Sequence, residues 1–152
     1  MDTSDVLERQ GHRLLQLGML LFLFALIVGL IVPKFAVPRL GLSTHLLGIM
    51  QGTFLMVAGL LWGRLRLSPA MSRIGVFLAV YGCLAAWIAN LSAAIRGAGN
   101  SMLPIAAGQA HGSALQEGMI AVALRSAAVS LIAVAILILW GLRRFGIAEA
   151  GK

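Results

Sequence analysis

The sequence predicts an all-α integral membrane protein, a single bundle of four transmembrane helices with both termini in the cytoplasm. The chain has 152 residues, of which 60% are hydrophobic and only 11% are charged, whereas about a quarter of the residues of a soluble domain are charged. The apolar residues form four runs that are long enough to cross a bilayer as helices. We predict one domain over residues 1–152, with spans at about 14–32, 43–62, 73–95 and 115–142.

A polar segment of mixed charge precedes the first span. Thr3 or Ser4 is a candidate cap for a short amphipathic helix in this segment, and a solvated tail is the other interpretation. The apolar run that follows ends at Pro33. It is too long for the apolar region of a typical secretory signal, and no small-residue cleavage site follows it. We therefore expect the run to be kept as a helix.

The second and third spans follow turns that contain proline and arginine. The second is expected to begin at Ser43 or Thr44, either of which can cap a helix, and to end near Trp62 at the level of the lipid headgroups. The third holds Cys83, which as the only cysteine cannot form an intramolecular disulfide.

A long connection rich in Gly, Ala and Ser runs from Gly97 to Gln116. Loops of this length are often functional or cover a site. The fourth span is expected to stop at Arg143 and Arg144. Arg125 lies inside this span, where it can extend towards the interface or meet Glu117 two turns away.

The net charge of +7 indicates membrane contact rather than nucleic-acid binding, because no basic stripe with interleaved aromatic residues occurs. Most of the basic residues lie at the ends of apolar runs, where they set orientation and contact anionic headgroups. Three basic residues, Lys34, Arg39 and Arg96, lie on one side of the predicted bundle. Eight lie on the other side, which we predict to be cytoplasmic: Arg9, Arg13, Arg64, Arg66, Arg73, Arg143, Arg144 and Lys152.

A histidine stands in the first turns of the second span. On a helical period His45, Gly48 and Gly52 share a face with Met56 and Gly59, which forms a groove that admits either a neighbouring helix or a flat ligand. The imidazole can bond a backbone carbonyl, ligate haem iron or relay protons. Zinc is disfavoured, because it needs three or four ligands and only two other histidines occur.

Three further residues within the spans are candidates for a site. Gln51 and Asn90 are neutral amides, which form interhelical hydrogen bonds in many membrane proteins. Asn90 shares a helix face with Trp87, an arrangement that suits either packing or a flat aromatic guest. Tyr81 is a weaker candidate.

The sequence contains no nucleophile with an adjacent base, no pair of intramembrane carboxylates and no phosphate loop. Hydrolysis by these routes is therefore excluded, and chemistry that needs a Lewis acid and a few neutral hydrogen bonds remains. Two other classes stay open. A transporter or scaffold would be expected to show paired charges or broken helices, and an electron-transfer haem protein usually needs two axial ligands.

The second and third spans resemble a known family. The segments PRLGLSTHLLGIMQGTFLMVAGLLW, YGCLAAWIANLSAA and MLPIAAG closely resemble the hydroxylaminobenzene mutases, and the likeness extends over nearly the whole chain. The pattern of His45, Gln51 and Gly52 also resembles the more distant styrene oxide isomerases, in which the amide is an asparagine.

The resemblance implies an isomerase of the bacterial inner membrane that converts hydroxylaminobenzene to 2-aminophenol. Through the styrene oxide isomerases it also implies haem b at a subunit interface of a homotrimer, with His45 on the iron and Gly48 and Gly52 against the cofactor. Haem propionates would then be a third partner for Arg125. Asn90 stands where that branch has a tyrosine.

In this interpretation the haem iron acts as a Lewis acid that weakens the N–O bond. Gln51 and Asn90 are expected to orient the hydroxylamine, and Trp87 is expected to contact its ring. The apolar site would receive substrate from the lipid bilayer and exclude water. A related aryl epoxide isomerase is the alternative activity.

Overall fold

The computed structural model describes residues 3–149, which contain only helices, turns and irregular segments. Four of its helices are long and apolar enough to cross a membrane, as the sequence predicts. These are α1 (Thr3–Leu30), α2 (Pro38–Trp62), α3 (Pro69–Arg96) and α5 (Ala114–Glu149), and the short helix α4 (Pro104–Ala107) lies in the connection between the last two.

The first helix is longer than the sequence indicates. It begins at Thr3 and includes the whole polar segment, because Leu7 and Leu14 on one of its faces are buried against the other helices. It ends at Leu30, and Pro33 lies in a 3₁₀ turn that follows. The polar segment is therefore helical, as the first of the two interpretations predicts, and it is continuous with the first span rather than a separate helix.

The starts of α2 and α3 also lie earlier than predicted. α2 begins at Pro38, a proline at the first helical position, where its fixed φ fits and its missing N–H is no loss. Ser43 and Thr44 are therefore inside the helix and do not cap it. α3 begins at Pro69, and the side chain of Ser68 caps it by accepting a hydrogen bond from the backbone of the first turn.

The last helix passes the point at which we expected it to stop. Arg143 and Arg144 are helical and α5 continues to Glu149, because arginine is a good helix former and does not end a helix. Residues 1, 2 and 150–152, with Lys152 of the charge count among them, lie outside the described residues.

Glycines set the closest helix contact of the protein, between α1 and α2. A Cβ atom on Gly18 would lie 2.7 Å from the carbonyl oxygen of Gly52, and a Cβ on Gly59 would lie 2.7 Å from that of Gly11. The two backbones therefore touch directly, and van der Waals fit of this kind drives helix association in lipid. This contact extends along most of both helices and fixes the position of α2 along the length of α1.

The other two long helices, α3 and α5, leave some sides of the bundle uncovered. α3 packs against α2 and more weakly against α1, whereas α5, among the four described spans, packs lengthwise along α3. Its long axis is antiparallel to α3, and Gly82 fits between Leu131 and the backbone of Ala127. The outer sides of α1 and α5 are both lined with exposed apolar residues.

A buried polar cluster joins three helices at the end of the protein that holds the α2–α3 turn. Trp62 is 0% exposed and donates a hydrogen bond from Nε1 to the hydroxyl of Ser72 at 2.9 Å. The same hydroxyl donates to the amide oxygen of Gln10. Trp62 is the last residue of α2, where the sequence predicts the helix to end, and its indole is buried inside the bundle.

Candidate functional site

His45 is held by the backbone of α1. Its Nδ1 lies 2.8 Å from the carbonyl oxygen of Ala25, and its ring lies so close to Gly29 that a Cβ there would be 2.6 Å from Nδ1. A carbonyl oxygen only accepts hydrogen bonds, so Nδ1 carries the proton and Nε2 keeps its lone pair. The sequence allowed a hydrogen bond to a backbone carbonyl of the first turn of the helix, but the carbonyl that His45 meets belongs to Ala25 of α1.

The second nitrogen of His45 is available to a ligand. Nε2 has no hydrogen-bond partner among the described residues. Nε2 is also not fully buried, because Gln51 Oε1 is the only fully buried and unpartnered polar side-chain atom of the described part. Histidines that bind metals commonly donate the other N–H to a carbonyl, which fixes the ring and its tautomer. His45 therefore fits the role of an axial ligand to haem iron.

The glycine face beside His45 is filled by protein. A Cβ on Gly48 would lie 2.5 Å from Nε1 of Trp87 and 2.6 Å from Cβ of Ala25, and a Cβ on Gly52 would lie 2.8 Å from the carbonyl oxygen of Gly18. Of the two occupants that the sequence allowed, the groove holds the neighbouring helix. The expectation that Gly48 and Gly52 line a flat cofactor is corrected accordingly, because they are helix-contact residues.

Asn90 and Trp87 bind the turn of α2 that leads into His45. Asn90 is 4% exposed, and its amide accepts from the Thr44 hydroxyl at 3.2 Å and donates to the Ser43 hydroxyl at 3.4 Å. Trp87 donates from Nε1 to the carbonyl oxygen of Thr44 at 3.2 Å. The polar atoms of both residues are thus engaged within the chain, and they fix the position of the backbone beside the histidine.

Gln51 differs from the other predicted residues because its amide oxygen has no partner. The side chain is 6% exposed, and Oε1 is fully buried without a hydrogen bond. An unpaired buried acceptor costs about 1–3 kcal/mol. Such an atom therefore calls for a donor that the described chain does not supply.

The predicted residues thus lie on two sides of α2. Thr44 and Gln51, seven residues apart, face α3, and Asn90 and Trp87 meet that side. His45 lies on the side that faces α1, with Nε2 not fully buried. Asn90 and Trp87 thus contact the same turn of α2, whereas the ring of His45 contacts α1.

Glu117 holds the long connection in place, a role that the sequence analysis did not predict for it. Its carboxylate accepts backbone N–H bonds from Gly99 at 2.8 Å, Asn100 at 3.3 Å, Ser101 at 3.1 Å and Gly112 at 3.0 Å. Pairing with Glu117, one of the alternatives for Arg125, is not seen among the described residues, and these backbone bonds take its place.

This connection also places α4 beside α2. A groove of about 430 Å³ lies between the two helices, and its wall includes Ser43, Met50 and Ile105. The connection therefore borders the turn that Asn90 holds. Sequence reasoning missed Ser43 and Ala25 as parts of this region. A hydroxyl residue in a span was the available signal for Ser43, whereas a backbone carbonyl of α1 leaves no signal in the sequence.

Comparison with known proteins agrees with the resemblance seen in the sequence. The family model for styrene oxide isomerase matches residues 10–143, which include all four spans and every predicted site residue. The chain belongs to the styrene oxide isomerase family. Within this family it is similar to hydroxylaminobenzene mutase HabB of Ectopseudomonas oleovorans, with 50% identity over 133 residues, 88% of this chain and 81% of the relative.

A second relative from the same organism supports this membership. Hydroxylaminobenzene mutase HabA is 39% identical over 127 residues, which are 84% of this chain and 94% of HabA. No solved structure matches this chain.

Proposed function

We propose that this isomerase rearranges hydroxylaminobenzene to 2-aminophenol in the bacterial inner membrane. The observation that carries the proposal is the 50% identity to a hydroxylaminobenzene mutase over most of the chain. In the reaction the N–O bond breaks, a C–O bond forms at the ortho carbon, and the proton of that carbon is transferred to nitrogen. Substrate and product are isomers, so the step needs no oxidant or reductant.

The residue that would hold a haem b group is His45, through Nε2. When bound, the haem iron would supply a Lewis acid that withdraws electron density from the N–O bond. The bond from Nδ1 to the Ala25 carbonyl makes the imidazole a stronger and better oriented ligand. We propose that a second copy completes the site in a homotrimer, since Nε2 is not fully buried within one chain.

Gln51 is the residue that we assign to the substrate. Its buried, unpartnered Oε1 can accept a hydrogen bond from an N–H or O–H of the hydroxylamine. Asn90 and Trp87 act as positioning residues, because they fix the α2 turn that carries His45. The surrounding side chains are apolar, which favours uptake of an aryl substrate from the bilayer and keeps water away from the ring.

An aryl epoxide isomerase is the second candidate, because the matching family model is that of styrene oxide isomerase. Both reactions are isomerisations of an apolar aromatic molecule that begin with cleavage of a bond to oxygen, the N–O bond of the hydroxylamine or the benzylic C–O bond of the epoxide, and a Lewis acid would assist either cleavage. Incubation of the purified protein with either hydroxylaminobenzene or styrene oxide separates the two candidates. We expect turnover of the hydroxylamine. Turnover of the epoxide alone would make the aryl epoxide isomerase the assigned function in place of the mutase.

The first test is His45→Ala. We expect the purified variant to lose both the Soret absorption band and the formation of 2-aminophenol. A variant that is colourless and fully active would refute the proposed role of the histidine.

The second test is Gln51→Leu, which replaces the amide with an apolar side chain of similar shape. Removal of an unpaired buried acceptor should leave the thermal stability unchanged or raise it, while turnover should fall by about tenfold or more. Thr53→Val is a matched control, because Thr53 is an exposed polar residue of the same helix. Retained turnover in Gln51→Leu would show that the amide is a packing residue.

A further inference from the structure

A groove of about 270 Å³ runs between α3 and α5. Three of the residues that line it have small side chains, Ala85, Ala89 and Ala123, and these leave the space between the two helices. Ile88 and Met119 also line it and are 53% and 65% exposed, so the groove opens on the outer surface of the bundle. None of the predicted site residues lines this groove, which is therefore separate from the candidate site.

The length of the groove matches one leaflet of a bilayer. Its lining on α3 extends from Ala85, just beyond the middle of the helix, to Arg96, the last helical residue. These two residues are separated by about 16 Å of helix. The hydrocarbon of one leaflet is about 15 Å thick, half of the apolar core. The groove therefore has the length of an acyl chain that extends from the headgroups to the middle of the bilayer.

Polar side chains line the groove where α3 ends and α5 begins. They are Ser92, Arg96 and Gln116. The amide oxygen of Gln116 accepts a hydrogen bond from the backbone N–H of Ser113 at 2.9 Å, so its Nε2 remains to donate. This Nε2, the Ser92 hydroxyl and the Arg96 guanidinium have no partner among the described residues. One end of the apolar groove thus offers three kinds of hydrogen-bond donor.

The charge at this end is positive and has no counter-ion in the described chain. Glu117 is the only Asp or Glu between residues 9 and 148. Its oxygens already accept four backbone N–H bonds of the connection. A cation in the last turn of α3 complements the helix dipole, but the dipole does not account for the two further donors in the same groove. An anion with several acceptor oxygens satisfies all three.

We propose that this groove binds an anionic phospholipid. The phosphate accepts hydrogen bonds from Arg96, Ser92 and Gln116, and one acyl chain lies along the seam between α3 and α5. Arginine binds phosphate through charge-assisted hydrogen bonds, and a headgroup without an amine leaves the phosphate no cation of its own. The bound lipid joins the end of α3 to the start of α5. The inference depends on neither the haem nor the proposed reaction.

The first test is native mass spectrometry of the purified protein in detergent, titrated with dioleoyl phosphatidylglycerol or dioleoyl phosphatidylcholine. We expect the wild type to bind the anionic lipid more tightly. Arg96→Gln should weaken this binding by about fivefold or more, the contribution of one basic residue at an anionic headgroup. Lys34→Gln is the matched control, because it removes an exposed cation outside the groove, and it should bind as the wild type does.

The second test separates a lipid from its headgroup. Phosphatidylglycerol with hexanoyl chains and inorganic phosphate offer similar oxygens without a long chain, so we expect at least about tenfold weaker binding of either, since each buried CH₂ contributes to the affinity. Ala85→Leu fills the far end of the groove and leaves Arg96 in place. It should also weaken binding of the dioleoyl lipid. Far-UV circular dichroism shows that each variant is folded.

Three results would overturn the inference. The first is equal affinity of the wild type for the anionic and the zwitterionic lipid. The second is retention of inorganic phosphate as tightly as the dioleoyl lipid, which would make the groove a phosphate site. The third is an oligomer that dissociates in Ala85→Leu while its lipid affinity is unchanged, which would make the groove a contact between copies. Comparison of the two lipids on the wild type decides the matter even if Arg96→Gln does not fold.

Discussion

Replacement of Gly29 by alanine tests the link between the α1–α2 contact and the site. The new Cβ would lie 2.6 Å from Nδ1, 2.7 Å from Cε1 and 3.2 Å from Cγ of His45, and contacts below 3.0 Å are not tolerated. The atoms that clash belong to a side chain, so the imidazole moves and the helices keep their places. The displaced ring gives up its 2.8 Å hydrogen bond to the Ala25 carbonyl.

The expected change in stability is small. Alanine gains about 1 kcal/mol over glycine inside a helix. Loss of the hydrogen bond costs about 1 kcal/mol, and the overpacking adds about 1 kcal/mol at its low end, because the ring can rotate. The free energy of unfolding should therefore fall by only about 1 kcal/mol. Changes that reorient a ligating histidine usually lower metal affinity or activity by about 10- to 100-fold, so function should fall much further.

The assay compares thermal unfolding in detergent, haem content and formation of 2-aminophenol for the wild type and Gly29→Ala. Gly118→Ala is the matched control, because it makes the same helical exchange on α5 and its Cβ meets nothing within 4 Å. We expect the control to keep full activity. Wild-type turnover and haem content in Gly29→Ala would refute the conclusion that the orientation of His45 depends on the helix contact.

Three other substitutions test the fold around the site. Gly52→Ala places a Cβ 2.8 Å from a backbone oxygen of α1, so the two helices must separate, and we expect a loss of about 1–3 kcal/mol on unfolding in detergent, whereas Gly118→Ala should lose nothing. Ser72→Ala leaves the buried Trp62 indole N–H unpaired, and it should lower the unfolding temperature without changing the turnover of the folded protein. Glu117→Gln removes the charge that holds four backbone N–H groups, and we expect faster hydrogen exchange and proteolysis in the 97–113 connection, with unchanged exchange in α2.

The spans of this protein could be predicted from its sequence because a bilayer makes a local demand. Each helix must be apolar for about 20 residues whatever it packs against. The apolar composition of each run therefore identifies it as a span. The residues at which the helices begin and end are harder to predict from composition. Pro38 lies in the turn that the sequence predicts before the second span, yet it begins α2, because proline is favoured at the first position of a helix. The polar start of α1 becomes helical through burial of Leu7 and Leu14, a tertiary effect.

The site could be predicted only in part, and for a related reason. That His45 and Gln51 are costly in lipid is visible in the sequence. Which atom meets each of them depends on the height at which α1 and α3 pack against α2. Trp62 is a second example. An indole at the end of a span is typical of an interface anchor, and only the structure shows that Ser72 lies opposite its N–H.

The polar residues of the spans are satisfied to very different degrees, and the difference separates structure from function. Asn90 has partners within the chain, the hydroxyls of Thr44 and Ser43. His45 has one partner for two nitrogens, and Gln51 has none for its buried oxygen. A membrane offers no water that could complete them. What completes them must therefore arrive with a ligand or with a second copy, and it is these residues, rather than the most fully bonded ones, that mark the site.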